Sequence, residues 1–448
     1  RVDRRQRQMC IRDSGYNGPS DINFGPTGVA DQFGSALALD GGRLVVGTPG
    51  DDGPENRVGN AGAVYFFALG SGGIPGLGFG DNPGADVTIS ASALAAILSG
   101  GTGVTLQANN DITVTAAILV DNPSGDGGAL TFQAGRSILI NAGIVTDNGA
   151  LSLLANVGTG AGVIDSFRDP GPAEISFGSD GFVDAGTGQV DIRLFDGAGQ
   201  TNFDRGPITL GNITAGIINV IAPEGLGGFA DEVVISPGAV LTASGAGDAI
   251  TVVSKLFTNN AGPGAFSLTG GGRFRVYSDD YEAITRGGLI GNNLYNRSFA
   301  DSVTQAGNLF IFARQPILTF TADNQTRTYG QAAPTYTFQV SGLVNGDAEA
   351  YAYSGAPRLF DEGSGGAGFD AIRFDPNTLA SEVGYGFDFV NGTLNTLKAL
   401  LTVTANNASR EYGLDNPIFT ATFSGFVNGD DESVVSGLQF STIADIFS

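Results

Sequence analysis

Acidic side chains are the residues of this sequence that could do chemistry. Two pairs, Asp121 with Asp126 and Asp279 with Asp280, can be interpreted as general acid and base for cleavage of a glycosidic bond. Enzymes of that kind usually also place Arg, Lys or His beside the carboxylates, and this chain has no His and only two Lys. We therefore expect no enzyme. A β-helical polysaccharide lyase or hydrolase that uses surface Asp residues is the alternative.

Other catalytic and metal chemistries are excluded by residue counts. With no His and a single Cys, Cys10, the chain cannot form a Ser-His-Asp or Cys-His site, an imidazole metal site, a thiolate zinc cage or an internal disulfide. The formal net charge of −23 argues against nucleic-acid binding, which needs a basic surface.

Composition favours a folded chain rich in strands and turns. The 448 residues include 71 Gly, and 42% are hydrophobic, which is enough for a core. Gly with abundant Asn, Asp, Thr and Val suits frequent turns between paired strands. No run of about 18 apolar residues occurs, so we expect no membrane span.

The first residues differ from the rest of the chain. Residues 1–13 are basic and hold the only Cys and the only Met, whereas the remainder is acidic. They contain no apolar stretch of the kind found in signal peptides. This peptide resembles translated sequencing-adapter sequence, so residues 1–14 are set aside as an artefact. A genuine basic arm is the alternative.

Two apolar runs bounded by Gly turns predict buried strands near the N-terminus, at Leu44–Val46 and Ala63–Phe66. The stretch from Phe33-Gly34 to Gly47-Thr-Pro-Gly50 resembles the FG-GAP repeat of integrin-type β-propellers. One such repeat cannot close a propeller, because that fold needs several blades.

The FG-GAP resemblance also implies a calcium site. Such repeats often carry an Asp-rich calcium loop, which makes Asp51, Asp52 and Glu55 the candidate ligands. The competing interpretation is an acidic surface turn, since Asp and Gly are residues favoured in turns. The turn is favoured because the alternating Asp-x-Asp-x-Asp pattern is absent. No other cofactor is expected.

Internal repetition dominates the middle of the chain. Val104–Val114 aligns with Leu130–Ile140 at an offset of 26, and Leu151–Ala155 begins a third copy 21 residues further on. Alternating apolar residues recur at this period without intervening helices, which predicts a parallel β-helix. Asn109, Asn110 and Asp111 are predicted at a corner, where Asn tolerates left-handed backbone. About eight coils spaced by roughly 4.8 Å would extend on the order of 40 Å.

The same repeats resemble a known family. The segments Asp86-Val-Thr-Ile89, Thr105–Val114 and Leu130–Ile138 look like the repeat region of filamentous-haemagglutinin-type exoproteins. These are large bacterial adhesins secreted through a partner β-barrel in the outer membrane. The resemblance implies a right-handed parallel β-helix that serves as a shaft.

A tandem repeat with an offset of 83 follows. It resembles the MBG domain, a Gly-rich β-sandwich module found in tandem on bacterial surface proteins, and the second copy ends at Ser448 before it is complete. Alternation in Leu-Thr-Val-Thr-Ala predicts a strand, and Asn-Gly is a hairpin-turn signal. The matched segments are Leu318–Asn324 with Leu401–Asn407, Tyr329-Gly330 with Tyr412-Gly413, and Ser341–Asp347 with Ser424–Asp430.

These features together predict an all-β segment of a large adhesin that is secreted to, and associated with, the surface of a Gram-negative bacterium. Its expected partners are an unidentified cell-surface glycan or protein and an outer-membrane secretion partner. The predicted divisions are an artefact at 1–14, the FG-GAP-like repeat at 15–72, the haemagglutinin-type β-helix at 83–300, a linker at 301–316, and MBG-like domains at 317–398 and 400–448.

Overall fold

The computed structural model describes residues 36–40, 43–48, 63–68, 78–81, 83–222, 231–363 and 365–447. The chain divides into two compact units, residues 1–314 and 315–448. In the first unit, the strands Ala36–Asp40, Arg43–Thr48 and Ala63–Ala68 form an antiparallel sheet. These strands include both runs that the sequence predicted.

A parallel β-helix forms most of the first unit. Three parallel sheets run side by side, and each complete coil contributes one strand to each sheet. Sheet 1 contains, in spatial order, Val104–Ala108, Leu130–Ala134, Leu151–Ala155, Gln189–Leu194, Ile217–Ile221, Asp248–Val253, Arg273–Ser278, Leu309–Phe312 and Asn292–Tyr295. Sheet 2 contains Ile112–Val114, Ile138–Ile140, Ala173–Phe177, Arg205–Leu210, Glu232–Ile235, Leu256–Asn259 and Ile284–Thr285. Sheet 3 contains Ile118–Leu119, Ile144–Val145, Phe182–Asp184, Asn212–Ala215, Leu241–Ala243 and Phe266–Leu268. The predicted β-helix is confirmed.

Columns of apolar side chains, most of them aliphatic, fill the interior. The central column of sheet 1 contains Leu106, Phe132, Leu153, Ile192, Val220, Val252 and Val276, all buried. The predicted offsets of 26 and 21 residues are confirmed, because Leu130 pairs with Val104 and Leu151 pairs with Leu130. Burial of each such side chain stabilises the fold by about 1.5–3 kcal/mol. Among the described residues, six coils are complete and a seventh contributes strands to sheets 1 and 2 only, whereas about eight coils were predicted.

The N-terminal end of the β-helix carries a helix that the sequence reasoning did not predict. Helix α1, Ala91–Ser99, begins after Ser90, whose hydroxyl accepts a hydrogen bond from the amide of Ala93 at 3.4 Å. Its buried face consists of Leu94, Ala95 and Leu98, and it contacts the first strand of sheet 3. The adjacent segment 86–89, which the family resemblance had included, is not a strand.

Aromatic side chains cluster at the C-terminal end of the β-helix. Tyr281, Tyr295 and Phe312 pack against one another, with ring centroids 5.5–6.3 Å apart. Strand Leu309–Phe312, inside the range predicted as a linker, lies in sheet 1 between two neighbouring strands. This end of the stack therefore has aromatic side chains packed on it.

The second unit contains two copies of the tandem repeat. In copy 1, the strands form two sheets around Phe320, whose ring contacts five other aromatic rings. One sheet has the order Phe338–Ser341, Ile317–Ala322, Gly386–Val390, and the other has Gln325–Thr328, Gly392–Leu397, Gly368–Asp375, Arg358–Asp361. Helix α2, Glu349–Ala352, is short, and copy 2 contains the hairpin Thr402–Ala405 with Ala421–Ser424.

The Asn-Gly turns differ from the predicted hairpins. Asn345 and Gly346 have φ values of 55° and 73°, and Asn428 and Gly429 have 57° and 81°. Both pairs thus adopt the left-handed backbone that Asn and Gly tolerate. The first turn leads into helix α2 and the second precedes a short 3-10 turn at Glu432–Val434, so neither joins two strands.

Candidate functional site

Long loops gather at the corner between sheets 1 and 2. Coils 3 and 4 pass this corner through residues 156–172 and 195–204, and segment 78–85 packs beside them. We call the described residues of these three segments the corner cluster. Its small apolar core consists of Phe79, Val157 and Val163, with Leu154 and Phe195 packed against them.

The buried side-chain amide of Asn109 joins the first coil to two of these segments. Asn109 is 5% exposed, and its Nδ2 donates to the carbonyls of Phe79 at 2.8 Å and Pro83 at 3.0 Å. Its Oδ1 accepts from the amide of Ile164 at 2.8 Å. Asn109 lies at the corner as predicted, but its backbone is not left-handed. Asn156, in the next long loop, takes that conformation with φ 53°.

The buried side chains of Arg168 and Gln200 connect the loops of the corner cluster to coil 2. Arg168 is 4% exposed, and its Nε donates to the carbonyl of Gly135 at 3.0 Å, while an Nη donates to Asn156 Oδ1 at 3.3 Å. Burial lowers the pKa of Arg168. Gln200 donates to the same Gly135 carbonyl at 3.1 Å, so both loops converge on coil 2.

Two carboxylates of the corner cluster, those of Asp165 and Asp169, are engaged in structural bonds. Asp165 accepts from the hydroxyl of Thr201 at 2.5 Å and from its amide at 2.8 Å, and these bonds lower the pKa of Asp165. Asp169 accepts from the side-chain amide of Asn110 at 2.5 Å. These bonds hold both carboxylates in fixed positions.

A cavity of about 760 Å³ opens beside the corner cluster, at the N-terminal end of the β-helix. We call it the end cavity. Its lining combines buried apolar side chains with Asn110, Ser166, Phe167 and Asp169. The buried apolar side chains are Leu94, Leu106, Val114, Ile118 and Phe132. Because polar groups make up much of the accessible lining, the cavity suits a ligand with several hydroxyl or amide groups.

Among the described candidates, Asp121, Asp126, Asp279 and Asp280 are not part of the corner cluster. Asp51, Asp52 and Glu55 lie outside the described residues, so the calcium prediction stays a prediction. Asp121 and Asp126 flank a turn after coil 1, where the carbonyl of Asp126 accepts from the side chain of Asn122 at 2.7 Å.

Asp279 and Asp280 follow a strand of sheet 1 near the C-terminal end of the β-helix. The carboxylate of Asp280 pairs with Arg314 at 2.8 Å, and the carbonyl of Asp279 accepts from the amide of Arg314 at 2.8 Å. Among the described residues, no three Asp, Glu, His or Cys side chains are grouped closely enough to hold a metal ion.

The loops of the corner cluster were missed by sequence reasoning. The spacing of the repeats carried a signal for these loops. Val190 pairs with Leu151, 39 positions earlier, whereas the first coils repeat at 26 and 21 positions. An enlarged coil in a β-helix places its extra residues in a loop outside the stack.

Comparison with known proteins identifies two kinds of repeat. The family model of the MBG domain (YGX type) matches residues 318–395 and 401–446, and the model of the FG-GAP repeat matches residues 27–67. The chain therefore carries an FG-GAP repeat and tandem MBG domains, a combination that fits a surface or adhesin-like repeat protein. No match was found among curated proteins or solved structures.

Within the described part of the chain, no helix has both the length and the apolar character to cross a membrane.

Proposed function

We propose that this chain is a non-enzymatic presenting segment of a large adhesin secreted to the surface of a Gram-negative bacterium. The observation that carries the proposal is the continuous apolar column of sheet 1, which runs through seven stacked strands of the β-helix. Each coil adds about 4.8 Å along the axis, so the stack has a fixed length and holds a binding surface at a fixed distance from its base. A spacer requires such a fixed length.

The repeats support the same proposal. FG-GAP and MBG modules fit a large surface protein, and the parallel β-helix is the architecture that the filamentous-haemagglutinin resemblance implied. Export through a partner β-barrel in the outer membrane is the corresponding secretion route. The formal net charge of −23 keeps a long β-protein soluble outside the cell.

The corner cluster is the proposed contact surface. Its loops stand on a rigid stack, and recognition residues are commonly found on loops supported in this way. Phe167 is 43% exposed at the edge of the end cavity, next to the polar side chains of Asn110 and Asp169. An aromatic ring beside amide and carboxylate groups suits a cell-surface glycan or an extended peptide, bound by many weak contacts.

Binding of the full chain to glycan arrays, matrix proteins and cultured cells tests this proposal. We expect Phe167→Ala to weaken binding by about fivefold or more, since loss of an aromatic contact buried on binding costs more than about 1 kcal/mol. Phe182→Ala is the matched control, because Phe182 is 39% exposed on sheet 3. Equal binding by both variants would exclude the corner cluster, and no binding by the parent chain would reduce the β-helix to a spacer.

The enzyme alternative has its own test. The full chain is incubated with acidic polysaccharides, and reducing ends and unsaturated products are measured. We expect no turnover. Turnover that disappears in Asp121→Asn with Asp126→Asn, or in Asp279→Asn with Asp280→Asn, would overturn the non-enzymatic proposal.

A further inference from the structure

The Tyr-Gly turn of copy 1 lies where the chain leaves that module. Strand Gln325–Thr328 pairs in parallel with Gly392–Leu397, so both strands end at the same edge, with Thr328 beside Leu397. The amide of Tyr329 donates to the carbonyl of Leu397 at 2.8 Å. Only four residues separate Leu397, which ends the last strand of copy 1, from strand Thr402–Ala405 of copy 2. The Tyr-Gly turn therefore lies at the junction between the two copies.

A side chain of copy 2 reaches this turn. Gly330 has φ +88°, and a Cβ added to it would lie 2.6 Å from both Cβ and Cγ2 of Val427. Real Cβ atoms do not approach other atoms so closely, so the contact needs glycine for space as well as for its backbone conformation. Val427 directly precedes the left-handed Asn428-Gly429 turn of copy 2.

We propose that the Tyr-Gly turn is a docking surface for the Val-Asn-Gly turn of the following MBG module. Because Gly330 has no side chain, Val427 can pack closely against it. The short link between the modules keeps the two turns near each other. Because the contact adds a second connection beside the covalent link, it fixes the orientation of one module on the next. This proposal concerns the junction alone and does not depend on what the parent protein binds.

The second copy supplies a matched control. Gly413 occupies the equivalent Tyr-Gly turn and has nearly the same φ, +84°, but no described heavy atom lies within 4 Å of a Cβ added there. An alanine therefore costs similar backbone strain at both positions, while only Gly330→Ala collides with the other module. Val344, in the equivalent position to Val427, provides the same control for the valine.

The distance between modules in the full chain tests the proposal. Spin labels at Thr326→Cys and Thr404→Cys, both exposed, are introduced in a Cys10→Ser background and measured by pulsed dipolar spectroscopy. We expect a narrow distance distribution in the parent, a broader and displaced one in Gly330→Ala, and the parent distribution in Gly413→Ala.

A second pair of variants covers the case in which Gly330→Ala disturbs copy 1 itself. Val427→Ala removes the docked side chain without touching the Tyr-Gly turn, and we expect it to broaden the distribution, whereas Val344→Ala does not. The proposal fails if the parent distribution is already broad, or if Val427→Ala and Val344→Ala give the same width.

Discussion

Asp231 is a residue through which three coils of the β-helix are joined, by its side chain and by its backbone carbonyl. It is 1% exposed, and its carboxylate pairs with Arg205 of the preceding coil, with Nε 2.8 Å from Oδ1 and Nη2 donating to Oδ2 at 3.2 Å. Its carbonyl accepts from the amides of Lys255 and Leu256 in the following coil. Burial raises the pKa of Asp231, and the positive charge of Arg205 opposes that rise.

We expect Arg205→Met to lower the free energy of unfolding at pH 7 by about 3–5 kcal/mol, because it leaves a buried carboxylate without its partner. Arg314→Met is the control, since the exposed Arg314–Asp280 pair contributes about 0–1 kcal/mol. Chemical denaturation measures both changes. Equal effects from the two variants would show that burial of the Arg205–Asp231 pair has no energetic consequence.

The pH dependence of Arg205→Met has a defined sign. Without the arginine, the folded-state pKa of Asp231 rises further above its unfolded value. The penalty for burying the charged carboxylate is then present above the folded-state pKa and disappears as the pH falls through it. The stability difference between parent and variant should therefore be largest at neutral pH and shrink towards pH 4, roughly the pKa of an unfolded Asp.

Helix α1 is the element that covers the first coil. Leu98 is fully buried, and its carbonyl accepts from the amide of Gly128, at the start of coil 2, at 2.8 Å. We expect Leu98→Ala to destabilise the first coil by about 2–5 kcal/mol through the cavity it leaves. Hydrogen exchange should then accelerate across residues 104–119. Leu119→Ala, at a 60% exposed position of the neighbouring strand, should leave exchange unchanged. Similar exchange in the two variants would show that α1 does not cap the stack.

Strands of the β-helix could be predicted from the sequence, whereas helix α1 and the corner cluster could not. Stacked strands repeat their apolar pattern, so Leu130 and Leu151 reveal their register through spacing alone. Helix α1 is not part of the repeat, so internal repetition does not reveal it in the sequence. The corner cluster depends on Asn109 binding residues up to 55 positions away, and no local pattern encodes so distant a contact.

At the scale of the whole molecule, each of the two units has its own core. The β-helix buries its aliphatic columns, and copy 1 of the MBG repeat buries Phe320 among other aromatic rings. Proteins that contain several domains commonly depart from a single two-state transition. We therefore expect calorimetry of the full chain to resolve at least two thermal transitions, one for each of these cores.

Two substitutions assign the transitions. Leu153→Ala opens a cavity in the central column of sheet 1, and Phe320→Ala removes the ring at the centre of copy 1, with expected costs of about 2–5 and 3–5 kcal/mol respectively. Because each side chain is fully buried within one unit, each variant should lower the temperature of one transition and leave the other in place. If either substitution shifted both transitions equally, the two units would have to unfold as one cooperative body. The stability of the β-helix would then depend on the modules that follow it, which contradicts an independently stable shaft.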